Sequence, residues 1–263
     1  MKTVRPLLFF VSLLLIVGLA CSFFGDGDTP TQPPPSERPI QIDEPTSAPE
    51  PTEPPATEAP TEPPTPELQQ FFTEEFDAFD PSNWDVFTIT ASDDADADKV
   101  KVTAEDGKLV WDFDSKWVYY YLFYNAFEYE DVQLEARADN RGKNNNSVSL
   151  ICRYDPDTGW YEVNVANNGL YSILYMELLP GNKIRENRIA NGGSNDIKAG
   201  LETNEYLVKC EGNEISLAIN GQDVITIQDK KYGLSKGQVG ISVSSFNVLP
   251  ILIEMDWFKI SEP

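Results

Sequence analysis

The segment Ser147–Leu179 constrains this chain more than any other. It reads as three β-strands in succession, Ser147–Tyr154, Gly159–Ala166 and Leu170–Leu179. Asp155-Pro156-Asp157-Thr158-Gly159 separates the first two and has the composition of a turn. Asn167-Asn168-Gly169 separates the second and third, and Asn and Gly accept the positive φ angles that tight hairpins require. A chain committed to consecutive hairpins builds antiparallel sheet. Side chains alternate faces along a strand. Tyr161, Val163 and Val165 therefore point together into a core, and Trp160, Glu162 and Asn164 point together the other way, which makes the second row the candidate binding face.

The same pattern continues on both sides. Short runs of aromatic and β-branched residues predict strands at Phe71–Glu75, Trp84–Thr88, Val100–Ala104, Lys108–Asp114, Trp117–Tyr124 and Asp131–Ala138 before this segment. After it they predict Lys183–Ile189, Tyr206–Glu211, Glu214–Ile219, Val224–Gln228, Gly237–Ser244 and Ile251–Ile260. Asp106-Gly107, Gly212-Asn213 and Asn220-Gly221 punctuate them. No stretch carries a 3.6-residue apolar period of helix length. Many short strands without a Pro- or Ser-rich break predict one all-β, two-sheet antiparallel jelly-roll sandwich over residues 68–263.

Charge and composition narrow the function. The formal net charge is −23, from 43 acidic against 20 basic residues, a surface that repels phosphate and excludes nucleic acid as a partner. There is no histidine, so Ser-His nucleophiles, imidazole metal sites and histidine switches are excluded. Catalysis would have to rest on carboxylates, Tyr, Lys or a bound metal.

The N-terminus predicts export. Lys2 and Arg5 precede the apolar run Leu7–Ala20, which is shorter than the ~20 residues a membrane-spanning helix needs and suits a signal sequence over residues 1–20. Ala20-Cys21 resembles the lipobox of bacterial lipoproteins, with Gly18 and Leu19 before it. Cys21 is thus the candidate lipidation site, anchoring the protein to the outer face of the cell membrane through its acyl chains. Residues 21–67 hold fourteen of the twenty prolines, interleaved with Thr, Glu and Ser. Such a segment has little to bury and is expected to be a disordered stalk, reaching on the order of 100 Å at about 3.1 Å per residue.

The order of motifs within the domain resembles the concanavalin A-like lectin/glucanase family, which includes laminin-G-like and family-16-glycoside-hydrolase-like modules. Phe76-Asp77-Ala78-Phe79-Asp80-Pro81-Ser82-Asn83-Trp84 resembles its entry segment, and Asp106-Gly107-Lys108-Leu109 its Asn/Asp-Gly-Lys-Leu hairpin. Ile215–Gly221 with Val224–Ile227 resembles its strand pair around an Asn/Asp-Gly turn, and Glu254–Ile260 its closing strand. The resemblance implies a jelly roll that recognises polysaccharide or glycan. It also implies a structural calcium ion, at positions matching Asp256, Gly107 and Glu75, with Asp256 as a strand-end acid bonded to backbone as the alternative. The hydrolytic relatives carry Glu-x-Asp-x-x-Glu on one strand, and no strand here does: Glu162 is followed on its face by Asn164 and Ala166. The acidic run Asp94-Ala95-Asp96-Ala97-Asp98 reads as a solvated loop, because Lys99 stands where a calcium-binding loop needs glycine.

Flat aromatic faces beside a few orienting polar groups suit sugar binding. Trp117, Tyr119, Tyr121, Arg153, Trp160, Glu162 and Asn164 are the candidate ligand-binding residues. Once Cys21 is taken, Cys152 and Cys210 remain, either as a disulfide between neighbouring strands or as two buried thiols. The sequence thus predicts a lipid-anchored, non-catalytic glycan-recognition module. A divergent glycoside hydrolase and an adhesive, protein-binding laminin-G-like module are the alternatives.

Overall fold

A computed structural model describes residues 68–263, apart from Asn182. The signal sequence, Cys21 and the proline-rich segment lie outside the described residues. Each of the expected strands is present, and two antiparallel sheets pack face to face.

The first sheet contains β1 (Phe72–Glu74), β3 (Val100–Glu105), β4 (Lys108–Phe113), β6 (Val132–Asn140), β11 (Thr203–Glu211), β12 (Glu214–Ile219), β13 (Gln222–Gln228) and β15 (Ile251–Ser261). Its spatial order is β13-β12-β11-β6-β15-β4-β3, with β1 pairing on β15. The second contains β2 (Trp84–Thr90), β5 (Val118–Tyr129), β7 (Asn146–Asp155), β8 (Gly159–Ala166), β9 (Leu170–Leu179), β10 (Lys183–Gly193) and β14 (Gly237–Ser245), in the order β10-β9-β8-β7-β14-β5-β2. The hairpins expected at Asn168-Gly169 and Asn220-Gly221 join β8 to β9 and β12 to β13. β5 runs on to Tyr129, past the expected end, because Gly237 of β14 pairs with it there.

The inward row of β8, Tyr161, Val163 and Val165, lies in the core as the alternation requires. Val118, Leu122 and Tyr124 of β5 join it, with Val239, Ile241 and Val243 of β14 and, from the facing sheet, Trp111, Leu134, Val208 and Ile253. Cys152 and Cys210 are bonded, with Cα atoms 6.7 Å apart. The strands they join are not neighbours in one sheet: β7 and β11 belong to opposite sheets, so the bond crosses the core and ties the two layers together.

The outward surface of the first sheet is a lattice of ion pairs. Lys108 reaches Glu254 at 2.9 Å and Asp256 at 3.2 Å, Arg137 reaches Asp256 at 2.9 Å, and Lys259 reaches Glu135 at 2.8 Å. The outward surface of the second sheet is aromatic and polar, and there the sequence-predicted binding residues gather.

Candidate functional site

Cross-strand register assembles this face. Tyr121 of β5, Ser242 of β14, Ser149 of β7, Asn164 of β8 and Ser172 of β9 lie directly opposite one another, strand to strand. One step along the strands, the row is Phe123, Gly240, Ile151, Glu162 and Leu174; one step the other way, it is Tyr119, Ser244, Ser147, Ala166 and Leu170. The middle of the face is therefore floored by small residues and flanked by large ones.

That contrast shapes the face into a filled trough. Phe87 on β2 and Trp160 on β8 are separated by β5, β14 and β7. Four spacings of a flat sheet, at about 4.8 Å each, would hold their strands some ~19 Å apart. Their ring centroids lie 5.8 Å apart. The sheet curls toward this face, and aromatic side chains from both flanks meet over the small floor. Trp160 packs edge-on against Tyr121 at 5.2 Å and Phe123 at 5.5 Å, and Phe123 stacks on Tyr154 at 3.7 Å. Ile151, Leu174 and Met176 complete this second, smaller core.

The expectation that Trp160 and Glu162 belong to an open binding face is therefore corrected: Trp160 is 0% and Glu162 1% exposed. The alternation was read correctly, but the outer row is covered by its own aromatic neighbours. Asn164 remains half-buried.

Glu162 sits beneath the aromatic cluster and accepts four hydrogen bonds. Ser149 Oγ donates to Oε1 at 2.7 Å and Asn164 Nδ2 to the same oxygen at 3.4 Å. Trp160 Nε1 donates to Oε2 at 3.1 Å and Tyr121 Oη at 3.2 Å. Asn164 Nδ2 also reaches Ser147 Oγ at 2.8 Å and Ser149 Oγ at 2.9 Å. Burial pushes the Glu162 carboxyl above the usual carboxylate range, against the downward pull of its donors. Burial and the adjacent Glu162 carboxylate push the Tyr121 phenol far up, so it stays a donor. A carboxylate offers about four acceptor positions. In this structure all of them are occupied, and Glu162 has neither a solvent path nor a lone pair free for a substrate.

Beyond this plug the face opens. Tyr119 is half-buried, and Phe246, just past β14, lies 6.4 Å from it and 6.0 Å from Trp117, which is 36% exposed. Tyr119 and Phe246 form a ledge on this face, with Trp117 at its end. Two hydroxyls of the floor, Ser242 Oγ and Ser244 Oγ, are buried and have no hydrogen-bond partner.

Of the seven candidate ligand-binding residues, the face collects Trp117, Tyr119, Tyr121, Trp160, Glu162 and Asn164. Arg153 is the exception and is corrected. Simple alternation assigns it to the outer row, but a β-bulge between Cys152 and Asp155 adds a residue there. Arg153 takes a left-handed φ of 58° and leaves the row, while Tyr154 takes the outward place. Its guanidinium is buried and clamps loops instead, donating to Glu130 O at 3.0 Å, Leu234 O at 2.9 Å and Asp131 Oδ1 at 3.4 Å. Gly237 of β14 makes room for the bulge, since a Cβ there would collide with backbone atoms of Arg153 and Tyr154.

The residues implied for calcium have other neighbours in this structure. Both oxygens of Asp256 face cations, Oδ1 toward Lys108 and Oδ2 toward Arg137, and Glu75 is exposed. The side chain close to Gly107 is Asp77, not Asp256. Among the described residues no three Asp, Glu or Cys side chains converge as a metal site does.

The comparisons bear on this geometry. Residues 72–250 match the family model described as the 3-keto-alpha-glucoside-1,2-lyase-like domain. No curated protein matches the chain in sequence. Among solved structures, Bacillus licheniformis beta-glucanase is 14% identical, with a TM-score of 0.52, over 75% of this chain and 100% of that one. A Bacteroides ovatus mixed linkage glucan GH16 protein in complex with a G4G4G3G product is 12% identical, with a TM-score of 0.52, over 72% of this chain and 99% of that one. A Bacillus subtilis protein with a galectin-like fold is 10% identical, with a TM-score of 0.52, over 73% of this chain and 94% of that one. At these identities the likeness is one of fold: the domain is a concanavalin A-like jelly roll.

Proposed function

The chain belongs to the 3-keto-alpha-glucoside-1,2-lyase-like domain family, and we propose that its domain holds a glucose-containing glycan without transforming it, on the outward face of the second sheet. The observation that carries this reading is the state of Glu162. It is the acid at the centre of the face, and its oxygens are committed to Ser149, Asn164, Trp160 and Tyr121 beneath a closed aromatic cluster. Glycoside hydrolysis needs two carboxyl groups, about 5–5.5 Å apart for retention or about 6.5–9.5 Å for inversion, and both must reach the sugar.

Binding requires less. Tyr119 and Phe246 offer flat apolar faces for a sugar ring, and Asn164 and Ser172 lie on the same face to fix its orientation. The net charge of −23 favours neutral glycans over uronate- or sulfate-bearing ones. Lipidation of Cys21 and the proline-rich segment after it would hold this face away from the outer surface of the membrane.

A glycan array probed with the full-length protein, with and without calcium, tests the reading. Neutral glucans are expected to be retained without calcium, and Tyr119→Ala and Asn164→Ala are expected to weaken retention. Release of products from a 3-keto-glucoside or a glucan at a turnover rate would overturn it, as would an array with no glucan bound. Mass spectrometry of the mature N-terminus should find diacylglyceryl-modified Cys21; an unmodified start would remove the anchor.

A further inference from the structure

Two features that the sequence set apart, the acidic run Asp94–Asp98 and the aromatic strand beginning at Trp117, come together at one end of the sandwich. They line an open cavity of about 470 Å³ that includes Asp94, Lys99, Asp114, Lys116, Trp117 and Asn247. We infer that this cavity is a second carbohydrate subsite with Trp117 as its platform, so that the ligand of the domain is an oligosaccharide running from the sheet face into the end cavity. The inference rests on the glycan-binding reading of the sheet face and extends it.

Three observations support it. The first is the backbone. Trp117 has φ 59°, a left-handed conformation that is unfavourable for a bulky residue. It is pinned from both sides: Trp117 N–H donates to Phe246 O at 3.3 Å, and Ala91 N–H donates to Trp117 O at 2.9 Å. Strain of this kind persists where the surroundings over-determine it, and it concentrates at ligand sites. Its consequence here is a large apolar ring left 36% exposed at the cavity wall.

The second is continuity. Trp117 and Tyr119 both contact Phe246, at 6.0 Å and 6.4 Å, so the ring in the cavity and the ring on the sheet face belong to one strip. The third is the chemistry of the wall. Asp94, Asp114 and Lys116 form no ion pair among the described residues, and Asn247 adds an amide. A ligand that uses carboxylate acceptors, ammonium donors and a flat apolar platform together must itself carry donors, acceptors and an apolar face. A pyranose ring does. A simple organic cation would use the carboxylates and the indole but be repelled by the lysines.

Isothermal titration of the full-length protein with glucose and with α- and β-linked gluco-oligosaccharides up to the hexasaccharide tests this. Wild-type affinity is expected to rise with chain length. Trp117→Ala is expected to leave short ligands nearly unchanged and to weaken the longest by about tenfold, the value of one lost aromatic contact. Trp117→Phe should restore most of that loss. Asp114→Ala repeats the test without touching the strained residue, should Trp117→Ala not fold. An equal loss at every length, or no loss at any, overturns the end subsite while leaving the sheet-face site standing. A wild type that binds no member of the series removes both. Trp117-dependent binding of choline in place of glucans assigns the cavity to a cation and overturns the inference.

Discussion

Replacing Glu162 by Gln isolates the electrostatic balance at the centre of the face. Burial raises this carboxyl's pKa, and donors from Ser149, Trp160, Asn164 and Tyr121 only partly oppose it. The folded value therefore lies above the unfolded one. Between the two, the native state binds more protons than the unfolded chain, so stability declines as pH rises through a window that begins near the ordinary glutamate value of 4.5. The steepest possible slope is about 1.4 kcal/mol per pH unit. Gln does not titrate, so the wild-type advantage over Glu162→Gln should shrink from about pH 4 upward.

The geometry also bounds the offset at low pH. With the Gln oxygen toward Trp160 and Tyr121 and its amide toward Ser149, which can accept, only the long Asn164 contact is lost. That costs about 1 kcal/mol. Glu162→Ala strands Trp160 Nε1–H and the hydroxyls of Ser149 and Tyr121 in a dry site, at about 1–3 kcal/mol each, a large share of a typical stability of about 5–15 kcal/mol. Urea unfolding followed by tryptophan fluorescence across that pH range reads both effects. A wild-type advantage that stays constant or grows with pH would refute the argument, because it would mean that the four donors outweigh burial and hold Glu162 ionised.

Three further outcomes are expected. Removing the inter-sheet bond with Cys152→Ser and Cys210→Ser should cost about 4 kcal/mol in urea unfolding, and reductant should destabilise the wild type but not the double variant. Burial opposes ionisation of Asp229, but its carboxylate accepts from Gly233 N–H, Tyr161 Oη, Lys231 N–H and Tyr232 N–H, and these hold its pKa below the usual range. That stabilisation is present above the unfolded pKa and is lost as pH falls through the lower folded one. Asp229→Asn should therefore cost about 1–3 kcal/mol at pH 7 and much less below about pH 3, measured by thermal unfolding. Gly159→Ala places a Cβ against the Met176 carbonyl at φ 127° and should cost about 2–4 kcal/mol, whereas Gly181→Ala, with φ 79° and nothing near its Cβ, should cost only about 1 kcal/mol; equal melting temperatures would contradict this.

Strand positions were legible in the sequence because period-two alternation and Asn-Gly or Asp-Gly turns are local signals. Tyr161, Val163 and Val165 went into the core for that reason. What lay over the opposite row was not legible, because burial of Trp160 and Glu162 depends on Phe87 and Tyr121 reaching Trp160 across three and two intervening strands of a curled sheet. Arg153 misled for a different reason: a bulge changes the parity of a strand without altering its composition, and its one local trace, Gly237, lies on another strand. The floor could have been found. Ser147-x-Ser149 and Ser242-x-Ser244 alternate with Val and Ile, and small polar residues at every second position of two strands mark one shallow, hydrogen-bonding face.

Membership of a lyase-like family and a centre closed to substrate are compatible, because the fold and the accessibility of one acid are set by different residues. The jelly roll rests on the inward rows and the inter-sheet bond. Access to Glu162 rests on Trp160, Tyr121 and Phe87, all on the outer rows, where substitution leaves the main core intact. Trp160→Ala would uncover one oxygen of Glu162 and free one lone pair. The neighbours of that carboxylate across the floor would still be Ser149, Asn164 and Ser242, none of them an acid. Opening the cluster would therefore hydrate Glu162 while the other acid that acts on Tyr121, Glu186 of β10, stays paired with Arg188 at 2.9 Å, so cleavage by paired carboxyls would still lack a free second group.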